Sequence, residues 1–417
     1  MKNELSRKII LSCFLAGGLE MYDFAIFGFL SATLHKNYLA FMDASAALIV
    51  TYALFAVGFV FRPLGSLIFG YIGDKQGRKK ALVLSVTFMG TSSLAMAVLP
   101  QYALIGISSC YIIALIRIVQ GISVGGEYSG ALIYAMEHFD KRKGRLIGGI
   151  VVCGCVSGVL LATVVSTILQ NPVLPSYSWR FAFLIGFGLS MLGYFIRKQL
   201  TETPEFQKLS ANKSKIPVLD GIKAFPKECI TTILTSAANG VNFYFILVFL
   251  PSYVNKATGL STNHFPMVTT VILVVLSPLF GYISDRISRA KLICFGLLTI
   301  SIYTFLGLNL LMLKPNIINA YLFFIGQAVI YSIMTSTINA FVIEIFPVQY
   351  RFSCSSVCYS LGLGVIGGTS PLIASLIVDI FEYHTLYISI YISIISLLAY
   401  IAVKTTNKIS TYKLTTI

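Results

Sequence analysis

Charged residues are scarce in this 417-residue sequence: Asp, Glu, Lys and Arg together make up 11% of the chain, while hydrophobic residues make up 56%. Soluble domains carry nearer a quarter of charged residues. Apolar runs of about 20 residues, the length that crosses a bilayer, recur along the chain. The low charge therefore excludes one large soluble core and predicts a membrane protein.

Several functional signatures are also missing or stand in an unsuitable setting. No H-E-x-x-H, G-x-S-x-G or paired-aspartate motif stands in a setting suited to catalysis, which argues against an intramembrane enzyme. The eight cysteines lack the spacing and the histidines of a zinc site, so we expect them to pack between helices and expect no metal. The net charge of +15 lies in short segments between apolar runs. That distribution excludes a basic nucleic-acid-binding domain.

Apolar runs of bilayer length are predicted to be helices, because a lipid-exposed segment must satisfy its own backbone hydrogen bonds. They are too long and continuous for barrel strands. The first run is longer than a signal-peptide core and has no A-x-A-like site, so we expect it to be retained. We predict twelve spans, near 9–34, 47–72, 81–99, 105–137, 145–170, 180–198, 229–255, 265–284, 291–313, 318–345, 353–378 and 384–403.

The distribution of Lys and Arg predicts the orientation of these spans. Twenty-five of the 31 basic residues lie in segments on the side of the N-terminus, four lie on the other side, and Arg62 and Arg117 lie within spans. Basic residues concentrate in cytoplasmic loops, so both termini are expected in the cytoplasm. The predicted organisation is an N-terminal six-helix bundle, a cytoplasmic linker, a C-terminal six-helix bundle and a cytoplasmic tail, at 1–198, 199–228, 229–403 and 404–417.

A charged hairpin occurs twice, at matching points of the two halves. The first copy, 70–80, reads GYIGDKQGRKK, and the second, 281–291, reads GYISDRISRAK. The two are offset by 211 residues, about half the chain. Duplicated sets of spans are a common plan of secondary transporters, whose substrate site lies near the interface of the repeats.

The first hairpin resembles the loop 2–3 signature of the major facilitator superfamily, with Lys75 in place of the usual Arg and Ser288 in place of the second glycine in the later copy. The resemblance covers the whole chain and implies an all-α membrane protein with twelve transmembrane helices in two pseudo-symmetric bundles. It also implies that Asp74 lies near the start of span 11 and Asp285 near the start of span 5, locking the halves. The alternative is a positively charged turn without a gating role. The hairpin residues to which the resemblance assigns gating are Gly70, Asp74, Gly77, Arg78, Asp285, Arg286 and Arg289.

Five charged residues fall inside predicted spans, where charges are costly and usually functional. They are Glu20, Asp23, Arg62, Arg117 and Glu127. Glu20 and Asp23 share a helix face, near the bilayer midplane, and Arg117 on span 4 lies at a similar depth. With three acids against two bases, one carboxylate can lack a full partner and carry a proton. We therefore predict proton coupling through Glu20, Asp23, Arg117 and Glu127; a purely structural ion-pair network is the alternative.

The sequences around these charges resemble the metabolite:proton symporter family, which includes proline/betaine, α-ketoglutarate, citrate and shikimate carriers. The motifs are GGLEMYDF in span 1, FRPLG in span 2, RIVQGISVGGE in span 4 and SWRFAF in span 6. Met21 and Ala182 depart from the usual Trp and Pro at their positions. Span 5 lacks the G-P-x-x-x-G-G run of drug antiporters, which disfavours export.

Polar midspan residues are the candidates for the substrate pocket, although each can instead bond between helices. The substrate candidates are Tyr22, Arg62, Gln120, Asn239, Asn242, Tyr244, Gln327 and Asn339. The stretch EIFPVQYR, from Glu344 to Arg351, resembles the family's signature at the end of span 10 and implies a cytoplasmic gate pair. Arg142 or Arg145 is the expected first-half counterpart.

We therefore expect a proton-coupled symporter that imports a small organic metabolite, with a proline- or betaine-type zwitterion as the favoured cargo. An anionic carboxylate is the first alternative, and a non-transporting membrane solute sensor is a distant one. The expected partners are the substrate, protons and the lipid bilayer, without nucleic acid. We expect no cofactor, a proton gradient as the energy source, a monomer, and a bacterial inner-membrane location. The short tail lacks heptads, so osmotic sensing through a coiled coil is not expected.

Overall fold

The computed structural model describes residues 2–39, 41–42, 50, 53–54, 57–138, 144–171, 173–207, 217–260, 265–284, 288–381 and 385–414. Within these residues the regular structure is helical, and no β-strand occurs. The helices are α1 Lys2–Phe29, α2 Ser31–Tyr38, α3 Arg62–Gln76, α4 Arg78–Val98, α5 Tyr102–Ile105, α6 Ser108–His138, α7 Gly144–Leu169, α8 Arg180–Lys198, α9 Pro204–Gln207, α10 Pro217–Ala224, α11 Pro226–Tyr244, α12 Leu250–Thr258, α13 Phe265–Ser284, α14 Arg289–Leu313, α15 Ile317–Glu344, α16 Val348–Tyr359, α17 Ser370–Ile380 and α18 Thr385–Leu414.

Eleven helical stretches of the described chain are long and apolar enough to cross a membrane. The predicted second span, 47–72, has no such counterpart, because residues 43–49, 51–52 and 55–56 lie outside the described residues and α3 has only 15 residues. Helix α18 continues to Leu414, beyond the predicted end of the last span at 403. Part of the predicted tail is therefore helical.

Two spans contain π-helical segments. Phe245–Phe249 joins α11 to α12, and Ser360–Gly367 follows α16. The second segment meets α11 through two glycines, Gly362 and Gly367: a Cβ on Gly362 would lie 2.3 Å from the Ile233 carbonyl oxygen. Extra residues in a helical turn shift the register of the backbone, and glycine allows the two backbones to approach closely.

The chain divides into two compact units. Met1–His138 and Gly154–Lys213 form the first, and Phe139–Cys153 and Ser214–Ile417 form the second. In the first unit, α6 packs against α1, α3 and α4, while α8 packs against α1 and α4. In the second unit, α11 packs against α16 and α18, and α15 packs against α13 and α14.

Glycines bring α6 into backbone contact with α3 and with the residues just before it. A Cβ on Gly121 or Gly125 of α6 would lie within 2.3 Å of a carbonyl oxygen, that of Gly58 or Arg62 respectively. A Cβ on Gly65 of α3 would collide with the backbone of α6 at Ile122. The small residues of span 4 thus place the start of α3 directly against the middle of α6.

Candidate functional site

Helix α1 contributes two buried carboxylates to the interior of the first unit. Glu20 is 0% exposed and Asp23 is 2% exposed. The two positions are three residues apart, so the helix presents both on one face. Helices α3, α4 and α6 bring the polar partners, because α6 packs against all of α1, α3 and α4. The acids therefore face polar residues that are distant in the sequence. Arg62 is 42 positions from Glu20, and Ser93 is 70 positions from Asp23.

Glu20 forms a buried ion pair with Arg62, the first residue of α3. Oε1 of Glu20 accepts from Nη2 of Arg62, and Oε2 has no hydrogen-bond partner in the described residues. An ion pair withdrawn from water is held by mutual attraction, and removing one partner strands the other charge. The ion pair with Glu20 gives Arg62 a structural role. The substrate contact predicted for Arg62 stays a prediction.

Asp23 has a different environment. Oδ2 accepts a 2.6 Å hydrogen bond from the Ser93 hydroxyl on α4, and Oδ1 has no hydrogen-bond partner among the described residues. A Cβ on Gly186 of α8 would lie 2.6 Å from Oδ1, so the absence of a side chain at Gly186 lets α8 pack closely against this oxygen. A buried carboxylate with an unused oxygen can gain or lose a proton without breaking an ion pair.

Arg117 lies between two aromatic rings of α1. Its guanidinium carbon is 4.7 Å from the ring centre of Phe24 and 4.4 Å from that of Phe27. It donates from Nη1 to Oε1 of Gln120 at 2.9 Å, and its charge attracts that of Asp23. Ring faces attract a desolvated cation, so Arg117 is held at a fixed position near Asp23. This is the contact between span 1 and span 4 that the depth estimate allowed.

Glu127 pairs with an arginine that the intramembrane count omitted. Arg197, the penultimate residue of α8, is 0% exposed and forms a buried ion pair with Glu127. Ser85 also donates to Oε2 of Glu127 at 2.5 Å, and Arg197 donates to the Leu82 carbonyl at 3.0 Å. The sequence assigned Arg197 to a cytoplasmic segment because it stands at the end of a span. With Arg197 added, the charged residues counted within the spans become three acids and three bases.

The remaining substrate candidates are buried. The Tyr22 hydroxyl donates to the Ala182 carbonyl on α8 at 2.7 Å, so it bridges two helices. In the second unit, Asn242 reaches Ser396 at 3.3 Å, and Gln327 reaches Thr304 at 2.8 Å. Four interior amide oxygens have no hydrogen-bond partner in the described part of this unit, those of Asn239, Asn242, Gln327 and Asn339. Tyr244 is also buried, beside the Phe243 ring.

The first hairpin contains a fully buried arginine. Arg78 donates to Asp74 at 2.9 Å and to the Gly73 carbonyl at 2.6 Å, and its Nη2 lies 3.3 Å from Glu137 at the end of α6. Thr203 completes the cluster by donating to Glu137 at 2.6 Å. Gly70 is buried one turn before Asp74 on α3. These contacts lie inside the first unit, and the proposed locking of the two halves by Asp74 stays a prediction.

Glu202 caps the beginning of α4, a role that the sequence did not reveal. Its carboxylate accepts from the backbone N–H groups of Arg78 at 3.0 Å and Lys79 at 3.2 Å. Free N–H groups and the dipole at a helix N-terminus favour an anion. Gly77, with φ +113°, turns the chain into α4, and a Cβ there would lie 2.2 Å from Oε2 of Glu202. The run of Thr-Glu-Thr-Pro after a span was the available signal.

The second hairpin is described in part. Asp285 and Arg286 lie outside the described residues, as does Arg142, and the side chain of Arg145 is likewise outside them. Arg289, 211 residues after Arg78, forms an ion pair with Glu344. Arg351 donates to the Phe346 carbonyl at 3.3 Å, and its predicted gating role stays a prediction. The ion pair of Glu344 is therefore with the hairpin and repeats the pairing of Arg78 with Glu137.

No group of three or more His, Cys, Asp or Glu side chains is arranged for a metal ion in the described ranges. Among these residues, Asp23 keeps an oxygen without a hydrogen-bond partner, Arg117 is held against two rings, and Glu20 and Glu127 each form an ion pair with an arginine. Chemically, such a lining can exchange a proton at Asp23 and attract an anionic group to Arg117.

Comparison with known proteins gives a family and a fold. The family model described as Major Facilitator Superfamily matches residues 13–357 and 232–413. A proline/betaine transporter of Salmonella typhimurium is 29% identical over 96% of this chain and 84% of its own length. A glycine betaine/proline/ectoine/pipecolic acid transporter of Dickeya dadantii, OusA, shows the same identity and coverage.

Solved structures agree on the fold. The proton:xylose symporter XylE superposes with a TM-score of 0.79 at 16% identity, over 96% of this chain and 95% of that one. A bacterial homologue of the iron transporter ferroportin superposes with a TM-score of 0.74 at 14% identity, over 97% and 99%. The predicted all-α membrane fold is confirmed.

Proposed function

Since the chain belongs to the major facilitator superfamily, we propose that it is a proton-coupled symporter that imports a small zwitterion of the proline/betaine type by alternating access. Its curated relatives are named as transporters of such solutes. Proteins of this plan carry substrate and coupling ion near the bilayer midplane. The chain is a multi-pass membrane protein, and we place it in the bacterial inner membrane as a monomer with both termini in the cytoplasm.

One observation carries the proposal: Asp23 is a buried acid whose second oxygen is unused and which lies in the field of Arg117. When Asp23 is ionised, it competes with an anionic cargo group for the Arg117 guanidinium. When Asp23 binds a proton, this competition ends and the arginine is available to a carboxylate. Proton and cargo therefore favour each other's binding, which is the condition for symport.

The other interior charges have a structural role in this scheme. Glu20 is paired with Arg62, and Glu127 is paired with Arg197. Each pair is neutral as a unit, so we assign the attraction of an incoming carboxylate to Arg117. A zwitterion with one carboxylate matches this arrangement better than citrate or α-ketoglutarate, which carry two or three negative charges.

The test is uptake by the full-length transporter in proteoliposomes with an imposed inward proton gradient. Labelled proline, betaine, α-ketoglutarate and citrate are offered separately. We expect proline or betaine to accumulate above equilibrium and to leak away when a protonophore is added. Accumulation of a carboxylate alone would favour the anion carrier, and binding without any uptake would favour a sensor.

The Asp23→Asn variant tests the assigned residue. Because asparagine cannot release a proton, it is expected to abolish gradient-driven accumulation and to retain exchange of labelled for unlabelled cargo. The comparison variant is Glu20→Gln, which changes the acid that is paired with Arg62. Normal accumulation by Asp23→Asn would show that the proton is carried elsewhere, even if symport itself is confirmed.

A further inference from the structure

We propose that a groove between α4 and α8 is a binding site for the headgroup of an anionic phospholipid. The groove has a volume of about 360 Å³ and lies within the first unit. Its lining residues, called the lysine groove below, are Lys79, Lys80, Val83, Leu84, Tyr194, Lys198 and Glu202. This inference concerns the lipid surface of the protein and does not depend on the identity of the cargo.

The charge of the lysine groove is strongly positive. Lys79, Lys80 and Lys198 have no ion-pair partner among the described residues. Glu202 is the acid of the lining, but its oxygens accept from the backbone N–H groups of Arg78, Lys79 and Thr203. That carboxylate is therefore engaged by the start of α4 and leaves three ammonium groups to face an external anion.

The position of the groove matches a lipid headgroup. Lys79 and Lys80 stand in the first turn of α4, and Lys198 is the last residue of α8. Both helices are long and apolar enough to cross a membrane, so the lysines lie where the two spans leave the bilayer. The orientation predicted from the basic residues puts this end in the cytoplasmic leaflet, whose lipids are anionic and attract basic pockets between spans.

Apolar side chains continue from the lysines toward the membrane interior. Val83 and Leu84 line the groove itself, and Phe88 on α4 and Met191 on α8 are 47% and 36% exposed further along the two helices. The helices pack closely there, since a Cβ on Gly90 would lie 2.9 Å from the Cβ of Ser190. A charged end with an apolar extension fits a phospholipid with its acyl chains, and a small soluble anion would use only the charged end.

Tyr194 shapes the cation end of the groove. The Lys198 ammonium lies 5.9 Å from the Tyr194 ring centre. Aromatic and basic residues are enriched at the membrane–water interface because their stems are apolar and their tips are polar. The arrangement holds Lys198 beside the groove while its charge remains available to a phosphate.

The test measures lipid binding to the purified full-length transporter by native mass spectrometry in detergent. Dioleoyl phosphatidylglycerol and dioleoyl phosphatidylcholine are titrated separately. We expect preferential binding of phosphatidylglycerol to the wild type. The variant Lys79→Gln, Lys80→Gln, Lys198→Gln is expected to weaken it tenfold or more, because each lysine near an anionic headgroup contributes about fivefold.

A matched control removes three exposed lysines that do not line the groove, by Lys223→Gln, Lys227→Gln and Lys404→Gln. It changes the net charge equally and is expected to bind phosphatidylglycerol like the wild type. Equally weakened binding in both triple variants would show that binding depends on net charge alone, and would overturn the proposed site. Unchanged binding in the groove variant would also overturn it.

A soluble anion is distinguished by competition with sn-glycerol 3-phosphate, which carries the phosphate without acyl chains. We expect millimolar glycerol phosphate to leave phosphatidylglycerol bound, because it lacks the apolar contacts along Val83 and Leu84. Full displacement would identify the groove as a site for small phosphates and overturn the lipid proposal. Size-exclusion elution and thermal unfolding of each variant confirm that the comparisons are made on folded protein.

Discussion

Arg197 and Glu127 form a buried ion pair that joins α8 to α6 in the first unit. The sequence showed only Arg62 and Arg117 as bases within the spans. Arg197 is a third base, and it neutralises Glu127. The pair also explains why a charged residue at the end of a span is 0% exposed.

Arg197→Met is expected to destabilise the folded protein by about 3–5 kcal/mol, because Glu127 would remain buried without its partner. The double variant Glu127→Gln, Arg197→Met is expected to recover much of this loss, since neither charge is then stranded. The measurement is the thermal unfolding midpoint in detergent, with the exposed Lys404→Met as control. A double variant no more stable than the single one would contradict the assignment.

Phe27→Leu is expected to raise the KM for cargo by about thirtyfold, because a ring over a desolvated guanidinium contributes about 2 kcal/mol. Phe27 covers Arg117 from one side, at 4.4 Å. The control is Phe29→Leu, at a position that is 42% exposed and has no contact of this kind with Arg117. Equal KM values for the two variants, measured by initial uptake rates, would separate Arg117 from cargo binding.

Gly158→Ala is expected to destabilise the protein by about 1–3 kcal/mol, because the added methyl group overpacks the contact of α7 with α1. A Cβ on Gly158 would lie 2.1 Å from the Gly18 carbonyl oxygen. Gly188→Ala is the matched control, since nothing lies within 4 Å of the corresponding Cβ and alanine favours the helix. Thermal unfolding should separate the two, and an equally tolerated Gly158→Ala would mean that these helices can move apart freely.

Gly77→Ala is expected to cost more stability than Gly106→Ala. Both glycines have a positive φ, of +113° and +60°, with an extended ψ that glycine alone readily adopts, so alanine is strained at each by about 1–3 kcal/mol. Gly106 has open space around it, whereas the new methyl group at Gly77 would displace the Glu202 carboxylate from the start of α4. Unfolding midpoints check the stability, and uptake rates check whether the hairpin affects transport. An equal cost at the two positions would deny Glu202 a capping role.

The amino-acid sequence by itself determined the class of molecule. Few charges and recurring apolar runs predict helical spans because lipid requires each segment to satisfy its own backbone hydrogen bonds. The hairpin repeated after 211 residues indicated two related halves, and the hairpin motif identified the superfamily. Glu20, Asp23 and Arg117 stood out because a charge within an apolar run is rare and costly.

The tertiary structure decided which of these charges meet. Glu20 pairs with Arg62, Asp23 accepts from Ser93, and Glu127 pairs with Arg197, 70 positions later. Periodicity along one helix fixes which residues share a face, but it does not say which helix packs against that face or at what height. Those choices come from close contacts between distant glycines and carbonyls, such as Gly121 with Gly58. The sequence therefore located the polar groups, and helix packing alone left Asp23 with an unused oxygen.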